Sequence, residues 1–174
     1  MSSAPSLTVS LTDVLYRTRG QDWDYAFLLK PPPLLSEGWY ALHRRIFSGV
    51  EPSEEPLLLR GELGVGVGHP FFATVFVDSV RRDSQGRPVA HYVAWLGKAA
   101  EAAPGLSFGP GLIAAIAPAL AAVFSLTPEA LPRAEGKPLD SLLRARFQAA
   151  LPGRDVTVLA PPSGSVRWLG TISP

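Results

Sequence analysis

The segment from Phe71 to Leu96 constrains this chain more than any other. Phe71 to Val80 is rich in aromatic and β-branched residues, and Val89 to Leu96 is again strand-like. Between them lies the polar stretch Arg81 to Pro88, RRDSQGRP, which contains one glycine. Two β-rich runs around a short Gly-containing polar turn predict a β-hairpin. Side chains alternate across a strand, so Phe71, Val75 and Val77 fall on one face and Phe72 and Phe76 on the other. In the second run Val93 and Trp95 share a face, and Tyr92 takes the opposite one. Both faces of the hairpin are therefore apolar. Either helices cover the sheet on both sides, or some aromatic surface remains outside, next to a turn that carries arginines.

Around this hairpin the chain reads as a series of shorter elements. Leu7 to Thr18 and Tyr25 to Lys30 predict strands, the second ended by Pro31-Pro32-Pro33, which have no N–H to continue a ladder. Ser36 stands as a candidate N-cap for a helix running to Phe47, with Trp39, Leu42 and Ile46 on one face. Leu57 to Leu63 predicts a strand, followed by GVGVGHP. Leu112 to Leu126 predicts a buried helix containing Pro118. Thr127-Pro128-Glu129 starts a single turn. Leu139 to Leu151 repeats Leu139, Leu143, Phe147 and Leu151 at i+4, an amphipathic helix. Val156 to Leu159 and Val166 to Thr171 predict closing strands. Strands and helices do not alternate regularly, so the expected class is α+β. The expected architecture is a largely antiparallel sheet of about six to seven short strands, with two to three helices packed on it. Residues 1–6 read as a flexible tail and 7–174 as a single α+β domain. Trp39, Val75, Val77, Leu143 and Phe147 are the expected core.

Composition narrows the chemistry. The 174 residues include no Cys and no Asn, which excludes disulfides, thiol nucleophiles, Cys-ligated zinc and N-glycosylation. The net charge is +1, unlike the strongly basic balance of nucleic-acid-binding domains, so no nucleic acid is expected as a partner. The apolar stretch Leu112 to Leu126 is shorter than the roughly 20 residues a spanning helix needs. No membrane span is expected. The start MSSAPSLTVS has neither a positive n-region nor an apolar h-region, which favours the cytoplasm.

Catalytic motifs fail in their context. Gly64, Gly66 and Gly68 alternate with Val and lead to His69-Pro70 and a strand, whereas a dinucleotide fingerprint must open a helix. His43, His69 and His91 form no local zinc motif. His69 or His91 meets Asp78 only if the fold brings them together. Gly105-Leu-Ser107-Phe-Gly109 matches G-x-S-x-G but follows an Ala/Pro loop rather than a strand. Asp22 and Asp24 would share one face of an extended segment. No cofactor and no metal are expected.

The arginines are more suggestive. Thirteen arginines stand against three lysines, and Arg81, Arg82 and Arg87 surround the hairpin turn. Aromatic residues beside arginine are the composition of binding hot spots. The expected function is a non-enzymatic binding, adaptor or assembly subunit acting through a protein partner or a second copy of itself. Its expected binding residues are Arg81, Arg82, Arg87, Tyr92 and Trp95. The alternative is an enzyme with a dispersed site, most plausibly a hydrolase.

Overall fold

The computed structural model describes residues 9–30, 38–63, 69–99, 111–131, 137–149 and 167–172. The strands are β1 (Val9–Thr18), β2 (Ala26–Leu29), β3 (Leu57–Leu63), β4 (His69–Arg82), β5 (Pro88–Ala99) and β6 (Arg167–Ile172). The helices are α1 (Trp39–Phe47), α2 (Gly111–Phe124) and α3 (Lys137–Ala149). The fold is α+β. All strand pairs are antiparallel, and the six-stranded sheet has the order β2-β1-β5-β4-β3-β6.

The hairpin forms as its alternation predicts, with Phe71 opposite Leu96, Phe72 opposite Trp95 and Phe76 opposite His91. Its strands are longer than expected and occupy the middle of the sheet. Gly86 adopts a φ of 74° in the turn, a conformation that costs glycine little.

Both faces of the sheet are covered, which accounts for its two apolar sides. On one face Phe72, Phe76, Val93 and Trp95 pack with Val14 and Tyr16 against Ile116, Leu120 and Val123 of α2 and Leu143 and Phe147 of α3. On the other, Phe71, Val75, Ala94 and Leu96 pack with Leu15 and Phe27 against Leu42, Ile46 and Phe47 of α1. The α2 helix runs through Pro118, which lies on its exposed side. Among the described residues no helix is long and apolar enough to cross a membrane.

Three expectations change. The first helix starts at Trp39 with Gly38 as its N-cap and no side-chain cap, and the expected cap Ser36 lies outside the described residues. Trp39 is not core; it is 39% exposed at the first position of α1, where Lys30 Nζ lies 4.7 Å from its ring centre. Val77 is half-buried, while Val75, Leu143 and Phe147 are fully buried. The Gly64–Gly68 segment, Ser107 and Val156 to Leu159 lie outside the described residues.

Candidate functional site

The hairpin turn holds its charges through its own carboxylates. Asp83 Oδ1 accepts the backbone N–H groups of Gln85 (3.0 Å) and Arg87 (2.8 Å). Its Oδ2 accepts Arg87 Nε at 2.7 Å and lies 3.2 Å from an Arg19 terminal nitrogen. Desolvation works to raise the Asp83 carboxyl, but those backbone N–H groups, Arg87 and Arg19 together hold it below its usual range. Ser84 N–H donates to Gln21 O at 2.9 Å, tying the turn to the β1–β2 connection.

A second carboxylate shapes the end of β4. Asp78 pairs with Val89 and Arg82 with Pro88, so the residues between Asp78 and Arg82 bulge out of the ladder. Asp78 Oδ1 accepts the N–H groups of Val80 (2.9 Å) and Arg81 (3.1 Å). Its Oδ2 accepts a hydrogen bond from the Arg81 guanidinium. Val80 is thereby held outward and is 86% exposed. Burial works to raise the Asp78 carboxyl, but the nearby His91 ring, the Arg81 guanidinium and the N–H groups of Arg81 and Val80 outweigh it and hold the group far below its usual range.

Behind Asp78 lies a buried polar relay. The Tyr16 hydroxyl and His91 Nδ1 are 2.9 Å apart, and His91 Nε2 lies 3.7 Å from Asp78 Oδ2. Burial pushes the Tyr16 hydroxyl above its usual range, so it stays neutral and donates to Nδ1. The ring proton then sits on Nε2, facing Asp78. Burial lowers the His91 pKa, and the Asp78 carboxylate partly counters that. Thus His91 and Asp78 do meet in three dimensions, but Tyr16 and His91 have essentially no exposed surface. No substrate reaches them in this arrangement.

The expected binding residues separate. Arg81 and Arg87 are paired within the hairpin, and Arg82 is exposed and donates to Gly86 O at 3.3 Å. Trp95 does not line a surface: it is completely buried, and its indole N–H donates to Phe147 O at 3.0 Å. The reason is the second helical layer, which covers the face that Trp95 shares with Val93. Tyr92 is half-buried on the opposite face and belongs to a different cluster.

That cluster centres on Arg17. In the ladders Arg17 stands between Phe27 of β2 and Tyr92 of β5. Its guanidinium carbon lies 5.0 Å from the ring centre of Tyr25, 5.6 Å from Phe27 and 5.5 Å from Tyr40. These are cation–π distances. The α1 helix brings Tyr40, His43 and Phe47 to the same place at i, i+3 and i+7. His43 lies 5.8 Å from Phe27, 5.0 Å from Phe47 and 4.9 Å from Tyr92, centre to centre. Burial, and then the Arg17 charge, push the His43 pKa down to about 4, so the ring is neutral near pH 7. The Tyr92 hydroxyl is raised, chiefly by burial. Arg17 Nε and His43 Nε2 are buried without a hydrogen-bond partner. Tyr40 is 61% exposed over this group. Aromatic residues and an arginine do come together, but on the α1 face rather than at the turn. The signal in the sequence was a charged residue between Tyr16 and Thr18, at a position whose neighbours Leu15 and Phe27 face inward.

Asp22 and Asp24 are exposed on a cleft of about 200 Å³ that Arg19, Asp83 and Arg87 also line. Asp24 Oδ1 accepts the Tyr25 N–H at 2.8 Å. Among the described residues no three His, Asp or Glu side chains gather as a metal site. Comparison with family models, with curated proteins and with solved structures finds no match.

Proposed function

We propose that this protein is a binding module, an adaptor or assembly subunit, and that it meets a protein partner through the α1 face around Arg17 and Tyr40. One observation carries the reading. A half-buried guanidinium is stacked among three aromatic rings, beside an exposed tyrosine, and has no carboxylate partner among the described residues. Tyr and Arg are enriched at binding hot spots, where they offer large contact area and directional hydrogen bonds. Trp39, the residue before Tyr40 in α1, is also 39% exposed. Support against the hydrolase alternative is the burial of the His91–Asp78 pair, which leaves a substrate no access to either ring nitrogen.

The test is a photo-crosslinking amino acid placed at position 40 or, for comparison, at position 82 in the hairpin turn. A discrete adduct from position 40, identified by mass spectrometry and absent from position 82, supports the α1 surface. An adduct of twice the protein's mass identifies a second copy as the partner. Adducts from position 82 alone would move the interface to the arginine turn.

A further inference from the structure

Resting on the reading that the α1 face meets a protein partner, we infer that Arg17 anchors a carboxylate of that partner, with Tyr25, Phe27 and Tyr40 forming the walls around it. The neighbouring arginines are committed elsewhere. Arg19 lies 3.2 Å from Asp83 Oδ2 and donates to Pro88 O at 2.8 Å, and Arg81 and Arg87 are bound to Asp78 and Asp83. Arg17 alone in this group of four meets no acid among the described residues. The surrounding rings displace water, so a hydrogen-bonded ion pair formed here gains more than one formed on an open surface. A planar guanidinium presents two parallel N–H donors, which match the two oxygens of a carboxylate.

Charge selects the ligand. His43 is neutral near pH 7, and Arg19, whose guanidinium carbon also lies 5.1 Å from the Tyr25 ring centre, is paired with Asp83, so among the described residues Arg17 is the positive charge of the ring cluster that meets no acid. A carboxylate carries one negative charge and is balanced by it. A phosphate near its dianion would be left half neutralised. Lys30, over Trp39 at the margin, adds attraction at longer range. The orphan His43 Nε2 is a second polar atom in the same cluster with nothing bonded to it. The carboxylate has two sources, an acidic residue within the partner or the partner's free carboxyl terminus, and the chemistry at Arg17 is the same for both.

Three tripeptides separate these sources: acetyl-Phe-Glu-Phe-amide, acetyl-Phe-Gln-Phe acid and acetyl-Phe-Gln-Phe-amide. Each is titrated into the full-length protein while the Arg17 Nε–H, Tyr40 and His43 resonances are followed by NMR. At least one acidic peptide is expected to bind about tenfold or more tightly than the neutral peptide and to move the Arg17 signal to saturation. Whichever acidic peptide binds identifies the source. Arg17→Met keeps the aliphatic stem and is expected to abolish that preference; Arg17→Lys, which keeps the charge but not the fork, is expected to lose about tenfold. If the methionine variant does not fold, the lysine variant carries the test. Equal binding of all three peptides, no movement at Arg17, or an acid preference that survives in either variant would overturn the assignment. Tighter binding of phenyl phosphate would overturn the choice of carboxylate. These failures leave the crosslinking result at position 40 intact, whereas absence of crosslinking there removes the surface itself.

Discussion

The two faces of the sheet are built from the same strands and differ in how completely they are closed. Two helices seal one face, where even the polar atoms of Tyr16, Trp95 and Thr74 are buried. Among the described residues a single nine-residue helix covers the other, with Arg17, Tyr25 and Tyr92 half-buried at its margin. Each face holds polar atoms without partners: Thr74 Oγ1 and His91 Nε2 on the sealed side, Arg17 Nε and His43 Nε2 on the open one. On the sealed side such an atom is only a cost to stability. On the open side the same deficit lies behind the exposed ring of Tyr40. Incomplete cover, more than composition, separates the sealed face from the partly open one here.

The largest effect that would test this contrast is Phe147→Ala. Phe147 is fully buried on the sealed face, and its ring lies 4.8 Å from that of Tyr16. The loss is expected at about 3–5 kcal/mol, read from the denaturant midpoint. An unchanged midpoint would mean that α3 does not seal this face.

Next comes Gly20→Ala. A Cβ there would lie 2.0 Å from Trp23 Nε1, and that indole N–H donates to Leu126 O at 2.8 Å. The tryptophan must move and its bond to the end of α2 must break, at a cost of about 1–3 kcal/mol. Thermal melting measures it, and retention of the wild-type melting temperature would show that Trp23 is not fixed there.

Acid should expose the two histidines. The His43 pKa falls from an unfolded value near 6.5 to about 4, and that of His91 is also lowered. The unfolded state therefore binds protons that the folded state refuses. Stability is expected to be complete above pH 6.5 and to decline as pH falls towards 4. His43→Gln should flatten part of that decline, leaving the His91 part. A melting temperature independent of pH in this window would contradict the burial of both rings.

A smaller effect distinguishes two neighbours. Arg81→Glu places a second carboxylate against Asp78 and should lower the melting temperature, whereas Arg82→Glu should leave it almost unchanged. Equal effects would show that the Asp78 pair does not hold the bulge. The smallest effect is expected from Tyr40→Ala, within about 0.5 kcal/mol of wild type if its ring serves contact more than folding.

Much of this fold was legible because its signals are local. Alternation in Phe71 to Val80 and Val89 to Leu96 assigned each residue to its face, and apolar character on both faces left two outcomes, cover on both sides or exposed aromatic surface, of which the fold takes the first. The i+4 repeat of Leu143 and Phe147 marked the buried face of α3. The site was less legible. Tyr25, Tyr40, His43 and Tyr92 reach Arg17 only because β1 pairs with both β2 and β5, a register set by contacts distant in sequence. The arginines of the turn stand out by density, but Asp78 holds Arg81 and Asp83 holds Arg87. Trp39 matched the helical stripe of Leu42 and Ile46, yet it begins the helix, where its ring meets Lys30 rather than the sheet.

The outer strand β2 has only four residues, and Pro31, Pro32 and Pro33 follow its end almost at once in the sequence. A short border ending in residues that cannot donate a main-chain hydrogen bond is a poor template for further strands. Another molecule arriving at this border finds little backbone to pair with, so runaway stacking of copies into fibrils is disfavoured there. On the reading proposed above, recognition beside β2 would then proceed through side groups, which discriminate among partners in a way that an open ladder does not.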